Sequence, residues 1–243
     1  MDRIAIISDI HGNVPALEAV LSDIKNRNIT RIICLGDIAG KGPSSDIVVD
    51  MIKENCEVVV KGNWDYFMTD VEDNETILWH QTKLGKERLS YLKTLPTYAQ
   101  FFMSGRLVRL CHAAPEDVFH RVPSHASNEE KKKLFIDPRG EGNESDVVGY
   151  GDIHGAYINN FDGKILFNVG SVGNPLDMPQ SSYGILEGEY EDRTSSALSV
   201  ALVRVPYDIE NAIRQAIDSK MPDLDAYISE LRTARYRGRS KKI

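Results

Sequence analysis

The apolar positions of this chain fall into short unbroken runs, and several of the runs stop at a polar signature. Ile4-Ala5-Ile6-Ile7 carries no charge between Arg3 and Asp9 and leads into Ser8-Asp9-Ile10-His11-Gly12-Asn13. Ile29–Leu35 ends at Gly36-Asp37, and Val58–Lys61 ends at Gly62-Asn63-Trp64-Asp65. Runs this continuous predict strands buried on both faces, as in a parallel sheet. Between them the period changes. Over 14–27, Leu17, Val20, Leu21 and Ile24 recur at helical spacing. A second helix is expected over 46–54, with Ser44 or Ser45 as its cap. Strand, helix, strand, helix, strand is the order of a parallel sheet covered by helices.

Residues 65–95 are helical by pattern and rich in charge and aromatic rings, which predicts a small helical cap beside the strand ends; an ordinary helical connection is the alternative. Pro96 stops it. Tyr98–Met103 and Arg106–Cys111, joined at Ser104-Gly105, predict a hairpin whose second arm runs into His112. The polar stretch 113–146, with a short basic helix near 129–136, reads as an exposed, mobile flap. Val147–Tyr150 is a short strand ending at Gly151-Asp152-Ile153-His154, and Asp162-Gly163 turns a hairpin of 156–161 with 164–169. After the tight loop Gly170–Pro175, strands over 182–189 and 197–205 suggest a second sheet, and helices over 207–219 and 223–234 follow. No repeat, linker or boundary interrupts this order, so the expectation is one domain over 1–243 with two packed sheets and flanking helices.

Composition narrows the class. A chain of 243 residues with 42% hydrophobic and 27% charged positions is ordinary for a soluble globular protein. No run approaches the roughly 20 apolar residues of a membrane span, and the opening strand leaves no room for a secretory signal. Cys34, Cys56 and Cys111 are odd in number and lie in or beside apolar segments, as small core residues of a reduced, cytoplasmic protein do. A net charge of −7 argues against a nucleic-acid-coating role. The basic tail, Arg235 to Lys242, reads as a solvated, frayed terminus.

The chemistry lies at the strand ends. Asp9 with His11, Asp37, Asn63, His112, and Asp152 with His154 occupy five of them, and these positions hold three of only six histidines. In an extended chain residues i and i+2 point the same way, so Asp9 and His11 are expected to reach one ion together. Mixed carboxylate, imidazole and amide donors suit a borderline divalent metal such as Mn, Fe or Zn. Seven ligand side chains are too many for one ion with an open position and about right for two. The bland readings are a helix-cap role for Asp9, a satisfied core position for His112 and a surface loop for Asp152. His120 and His125 are expected in solvent, and His80 as structural or exposed. Gly36 to Gly42 lacks the spacing of a phosphate-binding loop.

Taken together, these blocks resemble the calcineurin-like metallophosphoesterases, whose signature runs D-x-H, G-D, G-N-H-D/E, an isolated H and G-H-x-H. The resemblance spans about residues 1–205. It implies a four-layer α/β/β/α fold of two mixed sheets flanked by helices. Asp9, His11 and His154 would hold a first divalent ion, Asp37 would bridge, and Asn63, His112 and Asp152 would hold a second. The ions would be Mn or Fe, with Zn as an alternative. A hydroxide held between them would attack phosphorus in line. Asn63 and His112 are the expected catalytic residues, and Asn63, Trp64 and Asn13 the expected substrate contacts. Two positions depart from the pattern. Asp152 stands where the family has His, and Trp64 where many members have a His that assists the leaving group. Indole N–H is not acidic near neutral pH, so leaving groups that need little protonation are favoured. Trp64 either stacks on a base or sugar or simply packs.

The expected activity is therefore that of a phosphodiesterase or nucleotide pyrophosphohydrolase acting on a small phosphorylated substrate, a nucleotide. The Asn-Trp-acidic block and Arg204-Val205-Pro206-Tyr207-Asp208 are similar to those of streptococcal diadenosine tetraphosphate hydrolases, which makes a diadenosine polyphosphate the specific candidate. The rivals are a general phosphomonoesterase and a catalytically weak metal-binding regulatory module. No membrane or stable nucleic-acid partner is expected.

Overall fold

In the computed structural model, which describes residues 1–70, 73–140, 142 and 144–237, the layers can be read from one strand. In β1 (Asp2–Ile7), Ile4 and Ile6 point into one buried cluster, Ala5 and Ile7 into another. Alternation across an apolar run with no polar face requires cover on both sides. β1 pairs in parallel with β2 (Arg31–Cys34), and β2 in parallel with β3 (Val58–Val59). The crossovers are α1 (Val14–Asn26) and α2 (Ser45–Asn55). The cap of α2 departs from expectation: Ser44 makes no side-chain cap bond, and Ser45 Oγ instead accepts from Gly40 N at 3.0 Å.

The stretch expected as a helical cap forms α3 (Asn63–Thr69) and α4 (Glu75–Thr94), the latter broken at Gly85, where φ is 67°. Val71 and Glu72, between them, lie outside the described residues. Met68, Ile77, Leu84 and Leu92 join Val48, Val49 and Ile52 of α2 in the cluster that covers the outer face of the first sheet.

The second sheet is not built from the strands expected for it. β9 (Ser181–Gly188) pairs antiparallel with β1, and β10 (Ser199–Val205) with β9, so both extend the first sheet in the order β10-β9-β1-β2-β3. The second sheet has the order β4-β5-β6-β8-β7, from the hairpin β4 (Tyr98–Met103) and β5 (Arg106–Cys111), β6 (Val147–Tyr150), and the hairpin β7 (Tyr157–Phe161) and β8 (Lys164–Asn168). Within it β5, β6 and β8 run parallel. The sheets face each other through Ile4, Ile6, Ile33 and Val60 on one side and Val108, Leu110, Val147 and Phe167 on the other.

The stretch 113–146, expected as an exposed flap, is exposed at about half of its described residues and docked by a buried few. Val122, Leu134 and Phe135 are buried against Val148, Tyr150 and Leu166, on the outer face of the second sheet. α5 (Asn128–Lys132) and one 3-10 turn (Lys133–Phe135) are its only helical parts among the described residues. Buried Arg109 of β5 ties it down, donating to the carbonyls of Phe135 at 3.1 Å and Ile136 at 2.7 Å. A polar sequence thus supplies the fourth layer, because a few apolar residues and one guanidinium suffice to dock it. α6 (Ile209–Ser219) and α7 (Leu224–Thr233) pack together through Ala212, Ile213, Tyr227 and Leu231. The part of the basic tail from residue 238 onward lies outside the described residues.

Replacing Phe167, fully buried between the sheets, by Ala should lower stability by about 3–5 kcal/mol. Urea denaturation measures it; a loss under about 1 kcal/mol would mean that the sheets do not depend on this contact.

Candidate metal centre

Parallel strands send all their carboxyl ends to one edge. Here two sheets contribute: β1, β2 and β3 from the first and β5 and β6 from the second, followed by Asp9 with His11, Asp37, Asn63, His112, and Asp152 with His154. Asp9, His11, Asp37 and His154 each offer one ligand atom, and these four atoms lie within 4.8 Å of one another, all four residues buried.

The reason Asp9 and His11 converge differs from the one expected. β1 ends at Ile7, and the pair is not extended: φ is 56° at Asp9 and 48° at His11. The second pair repeats this, with 62° at Asp152 and 57° at His154, and Asp37 stands at 51°. Left-handed backbone is uncommon away from glycine and clusters where a site needs it. Turning Asp9 and His11 this way sends Ile10, between them, into the core. The turn is held by the backbone: Asp9 N donates to Gly36 O and His11 N to Asp37 O, both at 3.0 Å. From the opposite side, Val172 N donates to Ser8 O at 2.9 Å and Gly173 N to Asp9 O at 3.0 Å.

Carbonyl oxygens fix the histidine tautomers. Nδ1 faces Ala39 O at 3.3 Å in His11, Leu35 O at 2.9 Å in His112 and Asn174 O at 2.5 Å in His154. A carbonyl only accepts, so each Nδ1 donates and each neutral ring turns its Nε2 lone pair into the site. His11 Nε2 and His154 Nε2 then stand 3.2 Å apart, two lone pairs face to face. Asp9 Oδ1 and His112 Nε2 are buried without a hydrogen-bond partner. Such atoms are costly unless something else satisfies them. Donors of this kind, buried and aimed at one point, fit a divalent cation.

The electrostatics agree. Burial pushes the Asp37 carboxyl well above the usual carboxylate range, with the neighbouring Asp9 and Asp65 adding to it. Burial lowers His11 strongly, helped by the nearby Lys41 ammonium. For His112, burial works the other way from the carboxylates of Asp37, Asp9 and Asp152, which prevail and hold it up to about 9. Without an ion, the site shares its negative charge with protons.

The second half of the expected ligand set is arranged differently. His112 Nε2 lies 3.4 Å from Asp37 Oδ1 and 3.8 Å from Asp152 Oδ1, so the three groups do meet. Asp152, however, is engaged on both oxygens. Arg121 grips it in a fork, Nε to Oδ2 at 2.8 Å and Nη2 to Oδ1 at 2.9 Å, and Asn63 Nδ2 donates to Oδ1 at 2.8 Å. The two remaining flap histidines, His120 and His125, are exposed.

Other expectations divide. Asn13 is not a substrate contact: it is 1% exposed, its Oδ1 caps α1 by accepting from Ala16 N at 3.2 Å, and its Nδ2 donates to Gly173 O at 2.8 Å. Trp64 packs. Its ring stands edge-on to His11 with centroids 5.8 Å apart, and it lies so close to Gly40 that a Cβ there would come within 2.1 Å of it. His80 is structural, buried against Ser45 Oγ at 3.0 Å and pushed down to about 4, first by burial and then by Lys83. Asp65 is the support under Asp37. Fully buried, it accepts from the backbone N–H of Asp37 (2.8 Å), Gly62 (2.9 Å), Ile38 (3.0 Å) and Ala39 (3.3 Å).

Three participants carried little sequence signal. Lys41, buried beside the centre, sits between two glycines just after Gly36-Asp37, and that spacing was its only mark. Asn174 and Glu230 had none: one is in a turn, the other on an amphipathic helix.

Comparisons with known proteins give the family. The family model described as the calcineurin-like phosphoesterase superfamily domain matches residues 2–191, and the chain belongs to that superfamily. It is 33% identical over 250 residues to an uncharacterised protein of Methanocaldococcus jannaschii, covering 90% of this chain and 94% of that one. It is 25% identical over 201 residues to phosphodiesterase YfcE of Escherichia coli, covering 78% and 89%. Two solved structures share the fold. A metallophosphoesterase from Sphaerobacter thermophilus superposes with a TM-score of 0.74 at 24% identity, covering 96% of this chain and 99% of that one. A hypothetical protein from Pyrococcus horikoshii gives 0.77 at 18%, covering 95% and 98%.

Asp65→Asn keeps the shape but turns an amide N–H toward backbone donors. It should destabilise the metal-free protein by about 2–4 kcal/mol in chemical denaturation and weaken metal uptake in elemental analysis. An unshifted midpoint with full uptake would remove Asp65 from the account.

Proposed function

We propose that this protein hydrolyses phosphoesters with divalent metal ions held by Asp9, His11, Asp37 and His154 at a first position and by Asp37, Asn63, His112 and Asp152 at a second. The observation that carries the reading is the set of four buried ligand atoms within 4.8 Å, together with the unpartnered Asp9 Oδ1 and His112 Nε2. Divalent ions bound there would lower the pKa of a water and offset charge on phosphoryl oxygens. Mn or Fe suits the mixed donor set, with Zn as the alternative.

The chain's own residues set the rest. Asp65 holds the 37–39 backbone in place, and Trp64 braces the His11 ring from its side. The side chain of Asn63 is buried against Asp152, and its amide would meet a phosphoryl oxygen once Asp152 releases it. His112, with Nδ1 tied to Leu35 O, keeps Nε2 pointed at the same place. Indole at position 64 cannot supply a proton to a departing alkoxide. Phosphoanhydrides and aryl esters, whose leaving groups are stabilised phosphates or phenolates, are therefore favoured over alkyl esters, and the reading is a phosphodiesterase or nucleotide pyrophosphohydrolase. A nucleotide pyrophosphate, such as a diadenosine polyphosphate, is the specific candidate. Burial pushes the thiols of Cys34 and Cys111 up, and both are unpaired, which suits the reducing cytoplasm. Among the described residues no helix is long and apolar enough to cross a membrane.

One observation favours a second reading. Because Arg121 and Asn63 already occupy Asp152, the protein would hold one ion and act weakly, or serve as a metal-binding module. Elemental analysis of protein prepared without chelator separates the two: two metals per chain support the dinuclear reading and one supports the other.

The activity test uses bis-p-nitrophenyl phosphate, p-nitrophenyl phosphate and diadenosine tetraphosphate with added Mn. We expect turnover that a chelator abolishes and Mn restores, and a loss of at least about 100-fold in His154→Ala. No turnover at full metal occupancy would sink the enzyme reading. Preference for the monoester would overturn the choice of substrate class.

A further inference from the structure

A cavity of about 440 Å³ opens beside the metal centre. Asp152 and His154 form its inner wall, and Lys41, Arg121, Arg235 and Tyr236 line the remainder with a few apolar neighbours. We propose that this cavity is a subsite for a second phosphoryl group of the substrate, the one joined to the reacting phosphoryl by an anhydride bond, and that Lys41 is its principal contact. The proposal rests on the phosphoesterase reading above and names the substrate feature that the same site selects.

Lys41 carries the argument. A buried ammonium has three donors to satisfy, and among the described residues Lys41 Nζ makes one hydrogen bond, to Asn174 Oδ1 at 2.9 Å. Beyond the metal ligands, the buried carboxylate that acts on Lys41 is Glu230, and it is already committed. Its Oε1 accepts from Arg237 N and Nε, both at 2.9 Å, and its Oε2 from Asn174 Nδ2 at 3.1 Å. One carboxylate thus serves two cations, Lys41 and Arg237, and only Arg237 touches it. Burial accordingly lowers Lys41 from its ordinary range, the charges of Glu230, Asp37 and Asp9 only partly opposing it. An anion in the cavity would supply both the missing acceptors and the missing charge.

The other walls point the same way. Arg121 presents a guanidinium whose Nη1 takes no part in the fork on Asp152. Arg235 is exposed and adds a third cation. The anchoring is shared with the metal centre: the Asn174 backbone carbonyl receives His154 Nδ1, while its side chain carries Lys41. An occupant of the cavity is therefore held in register with the ligand that faces the reacting group. Arg235 and Tyr236 lie beyond residue 191, where the family match ends, so part of this subsite is built by chain outside the matched domain.

The test compares wild type with Lys41→Met and Arg235→Gln on diadenosine tetraphosphate and on bis-p-nitrophenyl phosphate, which has no second phosphoryl group. With excess Mn, the ratio of kcat/KM for the first substrate over the second should fall about ten-fold or more in Lys41→Met, through KM, and by a smaller step in Arg235→Gln. Ratios unchanged in both variants, or a wild type that hydrolyses only the simple diester, overturn the subsite and leave the phosphoesterase reading standing. If neither substrate is hydrolysed, that reading fails by itself, and calorimetric binding of diadenosine tetraphosphate to the Mn-loaded protein decides the subsite. Binding about ten-fold weaker in Lys41→Met supports it; equal binding overturns it. Inorganic phosphate as sole ligand is the control for a free anion: a loss seen with phosphate and not with diadenosine tetraphosphate also overturns the assignment. Should Lys41→Met fail to fold by circular dichroism, Arg235→Gln, altered at an exposed position, carries the same comparison.

Discussion

Buried like charge at the meeting of two sheets is the constraint that shapes this molecule. Asp9 and Asp37 are almost wholly withdrawn from water and stand among imidazole lone pairs. Isolated ions in such a place cost several kcal/mol each, and without a cation burial drives Asp37 toward its protonated form. What keeps them there is backbone geometry. The loop after β1 is sewn to the loop after β2 on one side and to the 172–173 loop on the other, and Asp65 accepts three of its four backbone hydrogen bonds from the loop that bears Asp37. Left-handed φ at five ligand positions is a further cost accepted for the same purpose. The stability lies in the apolar layers; the rim spends some of it on a place where a cation is welcome.

The two halves of the rim are supported unequally. Around Asp9, His11 and His154 every outward-facing nitrogen ends on a carbonyl, so the rings have no freedom to turn away. Around His112 and Asp152 the support includes Arg121, more than half exposed, from a loop of the outer layer. An ion entering the second position would have to displace a guanidinium and an amide from Asp152. The Asp9, His11 and His154 side is held by backbone carbonyls, and the His112 and Asp152 side in part by an exposed guanidinium.

The C-terminal helices tie into the same rim. Gly42 lies where a Cβ would come within 2.9 Å of Tyr227 Oη, so α7 rests directly on the loop that follows Asp37. Glu230, one turn along that helix, anchors Asn174 and through it the carbonyl that orients His154. Asn174 and Glu230, 20 and 76 residues beyond His154 in the chain, thus converge on one imidazole.

How much of this could be read from residues alone follows from the range of each interaction. Strand runs, the helices over 14–27 and 46–54, and the polar residues that end each strand depend on neighbours a few positions away, so periodicity and turn chemistry revealed them. Parallel strand order then predicted a shared edge for Asp9, His11 and Asp37; ligand atoms of these three and of His154 come within 4.8 Å of one another, and His112 Nε2, from the second sheet, lies 3.4 Å from Asp37. Non-local pairing is what stayed hidden. That β9 and β10 join the first sheet, that 113–146 is a packed layer held by Arg109, that Asn13 spends its amide inside the fold, and that Arg121 occupies Asp152 all turn on partners dozens of residues away. A sequence specifies which side chains want company; only the closed tertiary structure decides which of them find it, because burial and charge are summed over the whole neighbourhood at once.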